Sequence, residues 1–224
     1  MKASLDTNVI IHLYRANQQN ILFLLFGHDI VVYEFIVNQE LKKHGSDIYD
    51  NFMNDVDAGK ISIITDELLK KMGIYPLFLE YFNDDRPLYD VGDTGEVYAI
   101  SLARVLGAVS IVTDDTKSGG PHATLMRLPD SDVIPFTFCE ILFLLFIEKL
   151  ITFDELIDVY EDVLKKSTNF NPSLNSEYRR FIERFFFDPY SERERKWMLS
   201  YCDDKAIDFE TEIKKLRSYI KKYN

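Results

Sequence analysis

Residues 2–11 read Lys2-Ala3-Ser4-Leu5-Asp6-Thr7-Asn8-Val9-Ile10-Ile11. A short, mostly apolar run ending in three turn-forming residues is a buried strand and its exit turn. From Val9 to Phe26 apolar residues then recur at helical spacing. Strand, turn and helix open a βαβ unit, so Asp6 falls at the C-terminal end of the first strand.

The same grammar continues outward. Asp29-Ile30-Val31-Val32-Tyr33 is β-branched and aromatic, a second strand, and Phe35 to His44 with Gly45 behind it reads as a helix and its stop. Residues 47–57 have a helical pattern, Ile61-Ser62-Ile63-Ile64 is a third strand, and 66–82 is helical with interruptions near Gly73 and Pro76. Asp93-Thr94-Gly95-Glu96 opens a helix carrying Val97, Ile100, Ala103 and Leu106, closed by Gly107, and Val109 to Thr113 is a strand ending at Asp114-Asp115. Alternating strands and helices imply an α/β fold, its mainly parallel sheet covered on both faces and its ligand crevice at the carboxyl ends of the strands.

Beyond Pro135 the alternation stops. Phe136–Ile151, Phe153–Lys166, Leu174–Phe187, Glu192–Tyr201 and Asp204–Tyr223 all read as helix, with a joint at Asn169–Asn175 around Pro172. Two domains are expected: residues 1–135, and an all-helical C-terminal extension over 136–224.

Composition excludes whole classes. With 46% hydrophobic and 28% charged residues, 9 Gly and 7 Pro in 224, the chain is neither collagen-like, low-complexity nor disordered. Cys139 and Cys202 match no disulfide framework or metal spacing. Asp6 interrupts what would be the apolar core of a signal peptide. Neither Ile21–Phe26 nor Ile141–Ile147 approaches the ~20 apolar residues that span a bilayer. A cytoplasmic protein without a membrane segment is expected. Residues 1–164 carry 12 Lys+Arg against 27 Asp+Glu, a net charge of −15, while residues 165–224 carry 14 against 10, a net of +4. An acidic surface repels nucleic acid at long range. A metal-dependent nuclease nonetheless has to concentrate carboxylates, and bound cations or a separate basic segment can supply the positive charge.

Four carboxylates sit where a parallel sheet converges: Asp6, Glu40, Glu96 and Asp115, with Asp93 and Asp114 close behind. Like charges crowded into one crevice repel and shift each other's pKa, so such a cluster calls for a divalent cation. Oxygen ligands without cysteine or a histidine pair select Mg2+ or Mn2+ over Zn2+. One or two such ions hold a phosphodiester and activate water. Taken singly, each acid has a plainer reading. Asp93 and Glu96 fit an Asp-initiated capping box. Glu40 with Lys43 and His44 fits an exposed ion-paired face. Asp6-Thr7-Asn8 is a good turn, and Asp114-Asp115 is a good helix cap. All four at crevice-lining positions, Asp6 and Asp115 after strands, Glu40 inside the second helix and Glu96 in a helix's first turn, in this order within alternating β/α, favour the metal crevice.

His12, His28, His44 and His122 share no ligand or triad spacing and are given no role. Lys117 either contacts a substrate phosphate or offsets local negative charge, and Ser118-Gly119-Gly120-Pro121 reads as a plain loop. A phosphatase with an aspartyl nucleophile would need Asp-x-Asp after the first strand, where Asn8 stands instead.

The chain resembles the PIN-domain nucleases over residues 2–130. The opening strand with Asp6-Thr7-Asn8 is similar to that family's first acidic turn, and Val31 to Leu41, ending Asn38-Gln39-Glu40-Leu41, to its second acidic position. Gly95-Glu96 leading into Ala99-Ile100-Ser101-Leu102-Ala103 resembles the branch whose third acid is Glu after Gly. Val112-Thr113-Asp114-Asp115 resembles the fourth acidic position, the Thr-x-Asp spacing favouring Asp115 over Asp114. The resemblance implies a three-layer α/β/α sandwich and Mg2+- or Mn2+-dependent hydrolysis of RNA to a 5′-phosphate and a 3′-hydroxyl, commonly by the toxin of a toxin–antitoxin pair. Asp6, Glu40, Glu96 and Asp115 carry over as catalytic metal ligands, with Asn8 and Thr113 as supporting polar groups. RNA and an antitoxin protein are the implied partners. The competing expectation is a catalytically silent PIN-like module that recruits a partner or RNA through its tail.

In that tail Arg179-Arg180, Arg184, Arg193, Arg195-Lys196, Lys214-Lys215, Arg217 and Lys221-Lys222 alternate with Tyr178, Phe181, Phe185, Trp197 and Tyr219. Such interleaving suits single-stranded RNA. It equally suits helices with aromatic cores and solvated charged faces, or a tail that packs on a partner or on a second copy in a homo-oligomer.

Overall fold

The computed structural model describes residues 1–89, 93–117, 119–127, 132–167, 170–187 and 192–223. Ser118 of the expected loop and Asn169 of the expected joint lie outside the described residues. The chain divides into two compact units, Met1–Thr137 and Phe138–Asn224.

In the first unit β1 (Ala3–Leu5), β2 (Ile30–Tyr33), β3 (Ile61–Ile64), β4 (Ser110–Val112) and β5 (Ile134–Phe136) form one sheet in the order β3-β2-β1-β4-β5. Every pairing is parallel. All residues of β1, β2, β4 and β5 are buried, as expected of a parallel sheet with helices on both faces. The edge strand β3 leaves Ser62 exposed. The α/β sandwich with a helical extension is therefore the architecture of the chain.

The strand order places a ligand site. From β1 the chain steps outward to β2 and then β3; it next returns across the sheet to β4, on the other side of β1, and moves outward again to β5. Right-handed crossovers send the two sets of connections to opposite faces. The order therefore reverses between β1 and β4, and the crevice beyond their carboxyl ends is the switch point at which open α/β sheets bind ligands.

The connecting elements differ from their expected forms in instructive places. The helical stretch from Val9 to Phe26 is two helices, α1 (Thr7–Ala16) and α2 (Asn20–Phe26), because Asn17 adopts the left-handed conformation at φ 56° and its N–H bonds to Leu13 and Tyr14 carbonyls. Asparagine is among the few residues that tolerate that conformation. Phe35 to His44 is no regular helix: Ile36–Glu40 forms a wider π-helical turn and Leu41–His44 a tighter 3-10 turn. The span 66–82 is α4 (Asp66–Lys71), capped by the Thr65 hydroxyl, and α5 (Tyr75–Asp85), with α3 (Ser46–Asp57) before them. After these come α6 (Thr94–Val105), packed on β1, β2 and β4, and α7 (Pro121–Arg127), packed on β5.

β5 has no counterpart among the expected strands, since Phe136 reads as the start of a helix. Proline disfavours helix at the residue before it, and its missing N–H is tolerated on an edge strand. Pro135 accordingly pairs with Ile111 at the sheet's edge, and the helix starts two residues later.

The second unit contains α8 (Phe138–Ile147), α9 (Phe153–Lys166), α10 (Leu174–Ile182) continued by a π-helical turn Glu183–Phe187, α11 (Glu192–Asp204) and α12 (Phe209–Tyr223). All ten residues of α8 are buried, so this helix is the centre around which the others bury their apolar stripes. α9 begins with a capping box formed by Thr152 and Glu155. Three of the five tail aromatics are core, where Phe143 packs on Tyr178 and Phe181, and Phe181 on Phe185; Trp197 is half-buried and Tyr219 exposed. Among the described residues no helix is long and apolar enough to cross a membrane.

Candidate functional site

Asp6 leaves β1 still extended, at φ −86° and ψ 158°, and becomes the N-cap of α1. It is wholly buried. Its Oδ1 accepts from the Thr7 backbone N–H at 2.6 Å and its Oδ2 from the Thr113 hydroxyl at 2.8 Å. The same Thr113 oxygen accepts from the Asp115 N–H at 3.2 Å. One hydroxyl thus ties the carboxylate at the end of β1 to the turn leaving β4, across the switch point.

Glu40 arrives from the π-helical turn and accepts a hydrogen bond from the Thr7 hydroxyl. Its carboxylate lies against the first turn of α6: a Cβ on Gly95 would collide with both oxygens. Glycine is what permits that approach, and the unpaired N–H groups of a helix's first turn favour an anion there. Asp115 has a comparable neighbour in Gly120, whose Cβ would lie 2.6 Å from Oδ1.

Glu96, half-buried beside Gly95 on α6, is pushed up to about 7, chiefly by loss of solvent and then by the charges of Asp93, Glu40 and Asp115. The Asp6 carboxyl is held well above the usual range, first by burial and next by Glu96, with Glu40 adding to it, while Thr113 and the Thr7 N–H oppose the shift. Glu96 is therefore within electrostatic reach of four other acids, Asp6, Glu40, Asp93 and Asp115, gathered from four stretches of the chain. Lys117 reaches into this group, its Nζ 2.9 Å from Asp115 Oδ2 and 3.4 Å from Asp93 Oδ1. The Asp115 hydrogen bond leads in raising the lysine's own pKa.

Asp93 precedes α6 but makes no side-chain capping hydrogen bond, so the capping-box reading of Asp93 fails. Instead its Oδ1 faces Lys117, and its Oδ2 is buried with no hydrogen-bond partner among the described residues. Asp114 bonds to His12 Nδ1 at 2.8 Å, so the two adjacent aspartates engage different partners and Asp115 is the one that acts on Glu96. Asn8 lies half-buried in the first turn of α1.

Three contributors escaped sequence reasoning. Thr7 was visible inside the Asp-Thr-Asn turn, but only the fold brings its hydroxyl to Glu40. His12, set aside for want of a spacing pattern, meets Asp114 across 102 residues of chain. Gly120 was read as part of a loop.

A hard dication suits this donor set in chemistry: carboxylates that disfavour one another's ionisation, and an orphaned buried oxygen on Asp93. The oxygens as they stand are partly engaged by Thr7, Thr113 and Lys117. Among the described residues no group of three or more His, Cys, Asp or Glu side chains is arranged to hold a metal ion. Comparison of the chain with protein-family models, with curated proteins and with solved structures gives no match.

Proposed function

We propose that the first unit is a Mg2+- or Mn2+-dependent endoribonuclease of the PIN-domain kind, with Asp6, Glu40, Glu96 and Asp115 as ligands and Asp93 as an adjoining acid. One observation carries the reading. Asp6 and Glu96, ninety residues apart, are drawn to one switch-point crevice, where the charge of Glu96 disfavours ionisation of Asp6 and the charges of Asp93, Glu40 and Asp115 disfavour that of Glu96. A bound dication supplies the charge that relieves this repulsion, polarises a phosphodiester and acidifies water beside it. The chain's own residues do the rest. Thr113 and the Thr7 N–H hold Asp6 in one orientation, Thr7 fixes Glu40, and Gly95 leaves room for the Glu40 carboxylate. Lys117, more than half exposed, exchanges a carboxylate for a substrate phosphate. RNA is the proposed substrate and an antitoxin protein the natural partner.

The reading is tested by incubating mixed RNA with the protein in Mg2+ or Mn2+, alongside Asp6→Asn and a chelator control. Loss of at least about a hundredfold in cleavage is expected from the substitution, since the remaining acids no longer set the ligand geometry. Activity surviving either treatment removes the hypothesis. A second reading, a silent PIN-like module, is favoured by the engagement of Asp6, Glu40 and Asp115 with protein donors. It requires that Mn2+ titration at neutral pH give no measurable affinity.

A further inference from the structure

A groove of about 610 Å3 runs between α10 and α12. It lies within the second unit and has no part in the carboxylate site. Its apolar lining is Tyr178, Ile182, Phe186, Ile213 and Ile220, and the Tyr178 hydroxyl donates to the Ile213 carbonyl at 3.3 Å, fastening the two helices at that point. Its rim is basic. On α12, Lys214, Arg217 and Lys221 stand at i, i+3 and i+7, one face of the helix, and Arg179 projects from α10 opposite them.

Two acids also line the groove, Glu183 and Glu210, and Lys214 is spent on Glu210 at 3.3 Å. Arg179, Arg217 and Lys221 are exposed and make no ion pair among the described residues. In a chain of net charge −11, three unpaired cations flanking an apolar channel are a local reversal of sign.

An apolar floor between helices with a charged rim is the geometry in which a groove receives an amphipathic helix. Nucleic acid fits it less well: Glu183 and Glu210 on the rim repel phosphate, and of the aromatic faces that base stacking requires, Tyr178 is 7% exposed and the half-buried Phe186 is already stacked on Phe209 at 4.4 Å. Aliphatic Ile182 and Ile213 offer no stacking surface. We propose that the groove between α10 and α12 docks an acidic amphipathic helix of a partner polypeptide, its apolar residues on Ile182 and Ile213 and its carboxylates on Arg179, Arg217 and Lys221. Complementary charge on such a rim chiefly speeds and orients association, so the acidic partner is selected over a neutral or basic one.

The probe is a short fluorescent synthetic helix with Leu at i, i+3, i+4 and i+7 and Glu elsewhere, titrated with the full chain. The expected dissociation constant is about 10–100 μM, weakening as salt rises. Arg217→Glu with Lys221→Glu, both exposed, is expected to lose at least about tenfold in affinity. Ile213→Ser is expected to lose a comparable amount without changing the salt dependence. Circular dichroism verifies that both variants are folded. Equal binding of the Lys-for-Glu analogue, no binding of the acidic probe, or full retention in both variants overturns the proposal. Displacement of the probe by single-stranded oligouridylate, with the same variant dependence, overturns it in favour of RNA. Concentration-dependent self-association abolished by the double reversal overturns it in favour of a second copy.

Discussion

The switch-point crevice of the first unit and the core of the second both bury acids, but they do so by opposite means. In the helical unit each buried glutamate has a cation. Both Glu140 oxygens accept from Arg184 Nη1, at 2.9 and 3.0 Å, with both side chains almost wholly buried. Glu177 pairs with Arg180, Glu194 with Arg193, and Glu212 with Lys149 and Lys215. In the crevice Asp6, Glu40, Glu96 and Asp93 are set against one another, and a largely exposed lysine, Lys117, is shared by Asp93 and Asp115. The first arrangement is how a fold accommodates charge it must bury. The second leaves charge uncompensated, and uncompensated carboxylates in a cleft are where function is sought.

That contrast breaks most visibly at Arg184. Arg184→Met leaves Glu140 buried without its main partner, and the second unit is expected to lose about 3–5 kcal/mol, whereas adding Glu140→Leu restores much of the loss. Urea unfolding of the single and double variants measures both. Equal stability of the single variant and the wild type would show that the pair is not what holds α8 against the turn following α10.

The crevice should respond to pH in the opposite sense from a paired acid. Glu96 has a folded pKa of about 7 against an ordinary 4.5. Between those values the folded chain holds a proton that the unfolded chain releases, so metal-free stability falls as pH rises through that window. The loss is about 1–2 kcal/mol once solvent access to the half-buried carboxylate is allowed for. Melting temperatures in chelator from pH 4.5 to 8 should therefore decline, and Glu96→Gln should flatten the decline. On the proposed function, saturating Mn2+ flattens it too. A slope that ignores the substitution would remove Glu96 from the cluster.

Gly95→Ala sharpens the comparison with the smallest structural effect. The atoms nearest its methyl are those of the Glu40 carboxylate, the end of a long side chain, so the fold should shift by less than about 1 kcal/mol. The carboxylate must swing away, and Mn2+ affinity is expected to fall about tenfold, read by calorimetry. Unchanged affinity would mean that Glu40 takes no part in holding the ion.

Most of the sheet was legible because strands buried on both faces announce themselves as β-branched runs, as in Ile30–Tyr33 and Ile61–Ile64. β5 was not, since three residues with a central proline carry no periodicity and owe their conformation to pairing with Ile111 and its neighbours. The helix break at Asn17 was hidden because apolar spacing continues through it. Asp6 and Asp115 were legible through their positions after strands, and Glu40 and Glu96 through their places in the helices between them. Their hydrogen-bond partners were not: Thr7 to Glu40 spans 33 residues and Thr113 to Asp6 spans 107, distances over which local pattern carries no information. In the tail, the core reading of Tyr178 and Phe181 rests on packing against Phe143 of α8, and that of Phe185 on packing against Phe181, which no charge pattern reveals.

The widened turn at Ile36–Glu40 has a consequence for how this region tolerates change in length. A five-residue hydrogen-bonded loop holds one residue more than a regular helical turn. Deleting a single residue before Glu40 would let the backbone close as an ordinary turn of the α type, absorbing the change locally, whereas the same deletion from a regular helix would rotate everything after it by roughly 100°. A shortened chain should therefore fold and keep Glu40 as one wall of its acidic pocket.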